Sequence, residues 1–278
     1  MFNAEIVSTD RGNFEVFKRG TGEPLAFTHL YSEFNEYGNL MSQILSEYYS
    51  VYIINLRGAG RSDGQTDEFT YSMDDAIRDT EAIRETLGIK EWTFSGHSTG
   101  GFLALKYAVL FSSSLTKIIA GGICASSEYM EHPDSIYYPE NPNNERMKEI
   151  FAKLRKSDTS RDERISLSKE WIMMSLYIKE AYYDILKKKE SGRTLMEKID
   201  YFTEELENYD VRDQLKISPV NAYIYCGRHD AQCPHIFSEE VAKLMPNAAL
   251  STFENSNHNP NIEEESKFMK FISKTVSQ

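Results

Sequence analysis

The sequence predicts an α/β chain, a mostly parallel, doubly wound sheet interrupted by a helical insertion. Three observations carry this. Short apolar segments of strand length recur along both ends of the chain, and helical patterns separate them. Several of these segments are apolar almost without a break, as strands buried on both faces of a parallel sheet are. A stretch of about residues 126–212 breaks the rhythm and carries no buried-strand pattern.

In chain order, Phe2–Val7 and Phe14–Lys18 read as the first strands. Leu25–His29, Val51–Leu56, Trp92–Gly96, Lys117–Gly122, Val220–Cys226 and Ala249–Glu254 follow. Met73, Ala76, Ile77, Thr80, Ile83 and Leu87 share one face at helical spacing, and Gly88 ends that helix. Gly100–Leu110 and Ile236–Met245 also read as helices, the latter closed by Pro246. Glu263–Val276 places Phe268, Phe271 and Ile272 on a final helical stripe. The middle stretch opens with a loop rich in Pro and Asn. Helices are expected near Glu145–Lys156, Ile165–Ile185 and Thr194–Asn208. The expected division is a core of 1–125 and 213–278 with a helical cap of 126–212.

Composition bounds the function. The 278 residues are 40% hydrophobic and 27% charged, an ordinary globular balance. The formal charge of −12 argues against nucleic acid as a partner, because phosphate binding needs a basic surface. No apolar run reaches the roughly 20 residues of a spanning helix. The first residues lack the basic-then-apolar pattern of a secretory leader, so a cytoplasmic protein without membrane contact is expected. Cys124, Cys226 and Cys233 are too few and too scattered for a disulfide framework and are expected to be reduced. The six histidines form no H-x-x-x-H or H-E-x-x-H pair, so no catalytic metal is expected. Oligomeric state is not legible.

The chemistry centres on Gly96-His97-Ser98-Thr99-Gly100-Gly101, a G-x-S-x-G pattern between a strand and a helix. A nucleophile on so sharp a turn has a strained backbone. Gly96 and Gly100 let the two arms of the turn pass closely. The helix N-terminus behind the serine favours negative charge.

On these residues the chain resembles the α/β-hydrolase family over nearly its whole length. The resemblance implies the α/β-hydrolase fold and the chain order nucleophile, acid, histidine. Ser98 matches the nucleophile. Asp230, in Gly227-Arg228-His229-Asp230 after a late strand, matches the acid, with Glu128 as runner-up. His258, in the loop after the last strand, matches the base. His97 and His229 are adjacent in sequence but read as packing or hydrogen-bonding residues. The resemblance implies an oxyanion hole from the backbone N–H of Thr99 and that of Leu30 or Tyr31. The family usually carries His-Gly where this chain has His29-Leu30-Tyr31, and Asp where it has Asn55, in a turn that is structural.

The implied activity is acyl transfer from a small ester, lactone, amide or related carbonyl compound to Ser98, then to water, with no cofactor. Ser98 argues against the carboxylate-nucleophile branches of the fold, the dehalogenases and epoxide hydrolases. The insertion is expected to cap the site. Among its aromatic residues Trp171 and Tyr138 are the candidate substrate contacts, most of the others serving to stack helices. Gly227–Pro234 is also similar to the corresponding turn of proline iminopeptidases. Those enzymes usually have Gly before the serine and Trp after it, where this chain has His97 and Thr99. A third reading is a ligand-binding or cofactor-free, histidine-dependent protein of the same fold.

Overall fold

The computed structural model describes residues 1–189, 191 and 193–276. Its main sheet has eight strands. β1 (Asn3–Thr9) and β2 (Gly12–Arg19) form an antiparallel pair at one edge. β3 (Pro24–Phe27) lies further in, and the two-residue β4 (Ser32–Glu33) stands outside the sheet. β5 (Ser50–Ile54) is antiparallel to β2 and parallel to β3. β6 (Trp92–His97) and β7 (Leu115–Gly121) continue the parallel run. Past the excursion come β8 (Arg193–Thr194), which pairs with β4, then β9 (Asn221–Gly227) and β10 (Ala248–Phe253). The order across the main sheet is β1-β2-β5-β3-β6-β7-β9-β10.

The near-continuous apolar runs are explained by burial on both faces. In β7, Ile118 and Ala120 enter one core and Ile119 the other. In β3, Ala26 faces the first core, Leu25 and Phe27 the second. The first core lies under α2 (Met73–Thr86), α3 (Thr99–Leu110), α8 (Arg212–Leu215) and α9 (His235–Leu244). The second lies under α1 (Leu40–Leu45) and α11 (Glu265–Ser273). The sheet is therefore doubly wound, as expected. All eight of its strands overlap segments read as strands, although the edge strand β1 is buried only at Val7. Gly88, at φ +68°, closes α2 in the left-handed conformation that its sequence position suggests.

Between β7 and β9 the chain leaves the sheet for α4 (Asn144–Arg155), α5 (Arg161–Met174), α6 (Ala181–Ile185) and α7 (Met196–Leu206). The ends of this excursion meet. Ser126 and Asp210 form an isolated bridge, Ser127 N–H donates to Tyr209 O (3.0 Å), and Val211 N–H donates to Ala125 O (2.8 Å).

Four features depart from the sequence expectations. α1 is six residues long, too short to show a period. The single helix expected over Ile165–Ile185 is two, because the N–H groups of Tyr177 and Ile178 go to the Glu263 carboxylate instead of to helix carbonyls. The final helix, expected from Glu263, begins at Glu265 as α11, because Glu264 (φ −127°, ψ 47°) separates it from a short preceding helix, α10 (Pro260–Glu263). The Glu264 carboxylate reaches back to Asn255 N–H and Ser256 Oγ. The short β4–β8 pair is exposed on β8 and so leaves no apolar signal. Among the described residues no helix is long and apolar enough to cross a membrane.

Candidate active site

β6 delivers Ser98 at its end, and α3 begins at the next residue. Ser98 has φ 55° and ψ −125°, the one positive φ at a non-glycine among the described residues. Such a conformation costs about 1–3 kcal/mol and persists only where its surroundings fix it. Here they do. Ser98 N–H donates to Gly121 O (2.9 Å), and Ser98 C=O accepts from Gly101 and Phe102 N–H (2.8 and 3.0 Å). A Cβ at position 96 would stand 2.1 Å from Gly100 O, and one at position 100 would stand 2.3 Å from Thr28 O. The two glycines of the motif are thus required by close backbone approach.

Thr99 opens α3, so its N–H has no partner within the helix. Across from it runs the loop His29–Tyr31. Thr99 Oγ1 lies 3.1 Å from His29 Nε2, and Ser32 Oγ lies 3.0 Å from His29 Nδ1. Burial, with His258 and Lys198 nearby, holds His29 down at about 3, so the ring is neutral. Burial pushes the Tyr31 phenol up to about 12, against a hydrogen bond with Thr99. Both are enclosed by protein yet keep partial exposure, as do His97 and Tyr137. Ser98 is half-buried like them.

The turn after β9 and the loop after β10 lie back to back. A Cβ on Gly227 would meet Asn257 O at 1.9 Å, so the approach itself demands glycine. His229 N–H donates to Ser256 O, and Ala231 N–H to Asn257 Oδ1. This sets Asp230 against His258, both 4% exposed. His258 Nδ1 lies 3.0 and 2.9 Å from the two Asp230 oxygens. Oδ1 also accepts the N–H groups of Gln232 (2.9 Å) and Cys233 (2.8 Å). A carboxylate so placed assigns the proton to Nδ1 and leaves a lone pair on Nε2. That Nε2 is buried and has no hydrogen-bond partner. No bond joins it to Ser98 Oγ; catalytic hydrogen bonds are often long before substrate arrives.

A strand-end serine with positive φ, set in this sheet order beside a buried Asp–His pair, matches a known pattern. The family model described as alpha/beta hydrolase fold matches residues 28–265. The chain belongs to the α/β-hydrolase fold family. An alpha/beta fold family hydrolase from Bacillus anthracis str. Sterne is similar over 99% of this chain and 100% of its own, with 48% identity and a TM-score of 0.97. A proline iminopeptidase of Heyndrickxia coagulans is 25% identical over 96% of this chain and 95% of its own. An esterase from Exiguobacterium antarcticum, 20% identical over 99% of this chain and 100% of its own, shares the fold at a TM-score of 0.72.

The remaining candidates of this α/β hydrolase are placed as follows. Glu128 forms a surface ion pair with Arg212 at 2.8 Å, away from His258. Arg228 pairs with Glu254 and leaves Asp230 to the histidine. His229 stacks on Tyr177 at 4.0 Å, and His97 takes the Tyr225 hydroxyl at 3.1 Å. Asn55 bonds both backbone groups of Phe34, consistent with a structural turn. Trp171 is not brought to this group: its ring packs on Phe151 between α4 and α5. Tyr138 is half-buried in the loop before α4, and its neighbour Tyr137 reaches Gln232 Oε1 at 3.0 Å. Tyr31, Phe202, Phe102, Tyr129 and Tyr137 form a chain of ring contacts of 5.8–6.4 Å beside the His29–Tyr31 loop. No group of three potential metal ligands occurs among the described residues.

Sequence reasoning missed Gly122. Its φ is +60°, and a Cβ there would stand 2.7 Å from His258 Cε1 and 3.0 Å from His97 Cε1. A second glycine directly after the β7 strand was the available signal.

Proposed function

We propose that the chain is a serine hydrolase that cleaves small ester, lactone or amide substrates through an acyl-enzyme on Ser98. The observation that carries this reading is the His258–Asp230 pair, whose buried Nε2 is unpartnered and whose imidazole lies 4.6 Å from the ring of His97, the residue before the strained Ser98. In the reaction, His258 Nε2 takes the Ser98 proton as Oγ attacks the carbonyl carbon. Asp230 stabilises the imidazolium without itself being protonated. The negative oxygen is met by Thr99 N–H and by the N–H of Leu30 or Tyr31; losing one such donor typically costs about 10²–10³ in rate. The imidazolium then protonates the leaving group, and a water activated by His258 releases the acid. No step calls for a cofactor.

In this reading residues 126–212 form a cap over the site. Its Tyr129, Tyr137 and Phe202, with Tyr31 and Phe102 of the core, favour an apolar or aromatic portion of the substrate. A second reading, an iminopeptidase, is favoured by the curated relatives. A prolyl amine needs a carboxylate to meet it. Among the described residues Asp230 is the one carboxylate bonded to His29, Thr99, Tyr137 or His258, and it is already paired.

Incubation with a fluorophosphonate, read by intact mass, tests the nucleophile. One adduct is expected on the wild type, none on Ser98→Ala, and slow labelling on His258→Ala. An unlabelled, folded wild type would move the ligand-binding reading ahead. Turnover of p-nitrophenyl esters, a γ-lactone and a prolyl anilide then separates the substrate classes; preference for the anilide would replace the ester reading by the iminopeptidase.

A further inference from the structure

We propose that Glu263 is a positioning residue for His258, acting as a clamp that fixes the loop of the base to the helical excursion. This rests on the role proposed above for His258.

Glu263 is the last residue of α10, five residues beyond His258. Among the described residues its carboxylate accepts three backbone N–H groups and no side-chain donor. Oε1 takes Tyr177 N–H (2.5 Å) and Ile178 N–H (2.7 Å), from the link between α5 and α6. Oε2 takes Asn257 N–H (2.7 Å), the residue before the base. One carboxylate thus ties two segments some 80 residues apart in sequence. The same seam is closed from the other side. His258 N–H donates to Ser175 O (3.3 Å), Asn259 Nδ2 to Ser175 O (3.2 Å), and Asn257 Nδ2 to Met174 O (3.3 Å). Gln232, next to the acid turn, donates to Ser175 Oγ at 2.8 Å.

The chemistry of the clamp is specific. An ionised carboxylate offers two acceptor oxygens and no donor, which suits three converging N–H groups. An amide in its place turns one oxygen into an NH₂ that faces an N–H. Burial pushes the Glu263 carboxyl upward, and the three N–H bonds oppose that. An opposing charge, Lys179, acts weakly on it and bonds backbone carbonyls of Met173 and Leu176. The charge of Glu263 is therefore met chiefly by backbone dipoles of two loops, one of which carries the base. Its loss frees Asn257, and with it the imidazole next in the chain. A misplacement of about 1 Å in a reacting group can lower a rate about 10²-fold.

The test uses the full chain as wild type, Glu263→Gln and a control, Glu265→Gln, whose carboxylate pairs with Lys188 and touches neither loop. Two quantities are read: the rate of fluorophosphonate labelling at Ser98, and the downfield proton resonance of His258 Nδ1–H bonded to Asp230. Glu263→Gln is expected to label about 10–10²-fold more slowly and to shift or broaden that resonance, while the control matches wild type. In a substrate assay normalised to the folded fraction read by circular dichroism, the loss should still fall on kcat with KM little changed, which loss of folded protein alone does not give after that normalisation. If Glu263→Gln does not accumulate as folded protein, Glu263→Asp, which keeps the charge but is one methylene short of spanning both loops, is read the same way. A folded variant with wild-type resonance and labelling rate overturns the clamp. The resonance needs no turnover. An unlabelled wild type whose resonance still depends on Glu263 would sink the hydrolase reading and leave the clamp standing.

Discussion

Backbone conformation and local charge decide most at the scale of single residues. Gly122 is a case where a hydrogen atom is all the space allows. A methyl group there meets His258 Cε1 at 2.7 Å and needs a positive φ that disfavours L-residues by about 1–2 kcal/mol. Gly122→Ala is therefore expected to slow labelling of Ser98 about 10²-fold while lowering the melting temperature by only a few degrees. Mass spectrometry and thermal melts on one preparation check both. His29 carries a pH prediction. Its folded value lies near 3, below the ordinary 6.5, so the unfolded chain binds more protons between these limits. Stability from the neutral ring is full above about pH 6.5 and is lost as pH falls toward 3. The loss is at most about 5 kcal/mol and less where the half-exposed ring is screened by solvent. Urea midpoints of wild type should fall more steeply from pH 6.5 to 4.5 than those of His29→Asn. Parallel curves would show that His29 titrates normally. The Ser98 turn and the pairing of Asp230 with His258 were legible because each residue sits in a short motif after a strand. Gly122 and Glu263 were not, because their constraints come from side chains and N–H groups far away in sequence.

Elements of the sheet were legible for a related reason. A strand buried on both faces must be apolar at every position, and that pattern needs only local sequence. Helix ends set by distant partners leave no such trace, as the break after α5 shows: its cause is Glu263. The short pair β4–β8 belongs to the same class, and it bears on the His29–Tyr31 loop proposed to supply an oxyanion donor. Leu195 N–H, just after β8, donates to Tyr31 O at 2.8 Å, and Lys198 Nζ reaches Leu30 O at 3.4 Å. Burial lowers that lysine to about 8. Leu195 caps α7 at φ −94° behind an extended Thr194, a backbone that proline nearly fits. Leu195→Pro removes one N–H and keeps the helix. About a tenfold fall in kcat is expected, with a stability loss of about 0.5–1.5 kcal/mol, if the donors of Leu30 or Tyr31 serve the reaction. An unaltered kcat would leave Thr99 as the sole donor of consequence.

Across the whole molecule, the question is whether the helical excursion is a separate folding unit. Its two ends meet at Ser126 and Asp210, which by itself suggests an inserted domain that folds alone. Packing argues otherwise. Tyr129, Phe202, Leu206 and Tyr209 are counted in the first core of the sheet, against Phe102 of α3. Each such side chain contributes about 1.5–3 kcal/mol when buried, so four together reach about 6–12 kcal/mol. That rivals the whole stability of an ordinary domain, about 5–15 kcal/mol. Polar ties reinforce it: Glu205 of α7 accepts Met73 N–H at the start of α2, and Glu263 binds the α5–α6 link. Sheet and excursion should therefore unfold together, although a chain of this length more often unfolds in steps. Calorimetry is expected to give one peak, with calorimetric and van't Hoff enthalpies equal and with near- and far-ultraviolet dichroism melting together. Two resolved transitions would mean that the excursion can open while the sheet stays folded. The His258 loop would then have lost its mounting well below the temperature at which the core melts.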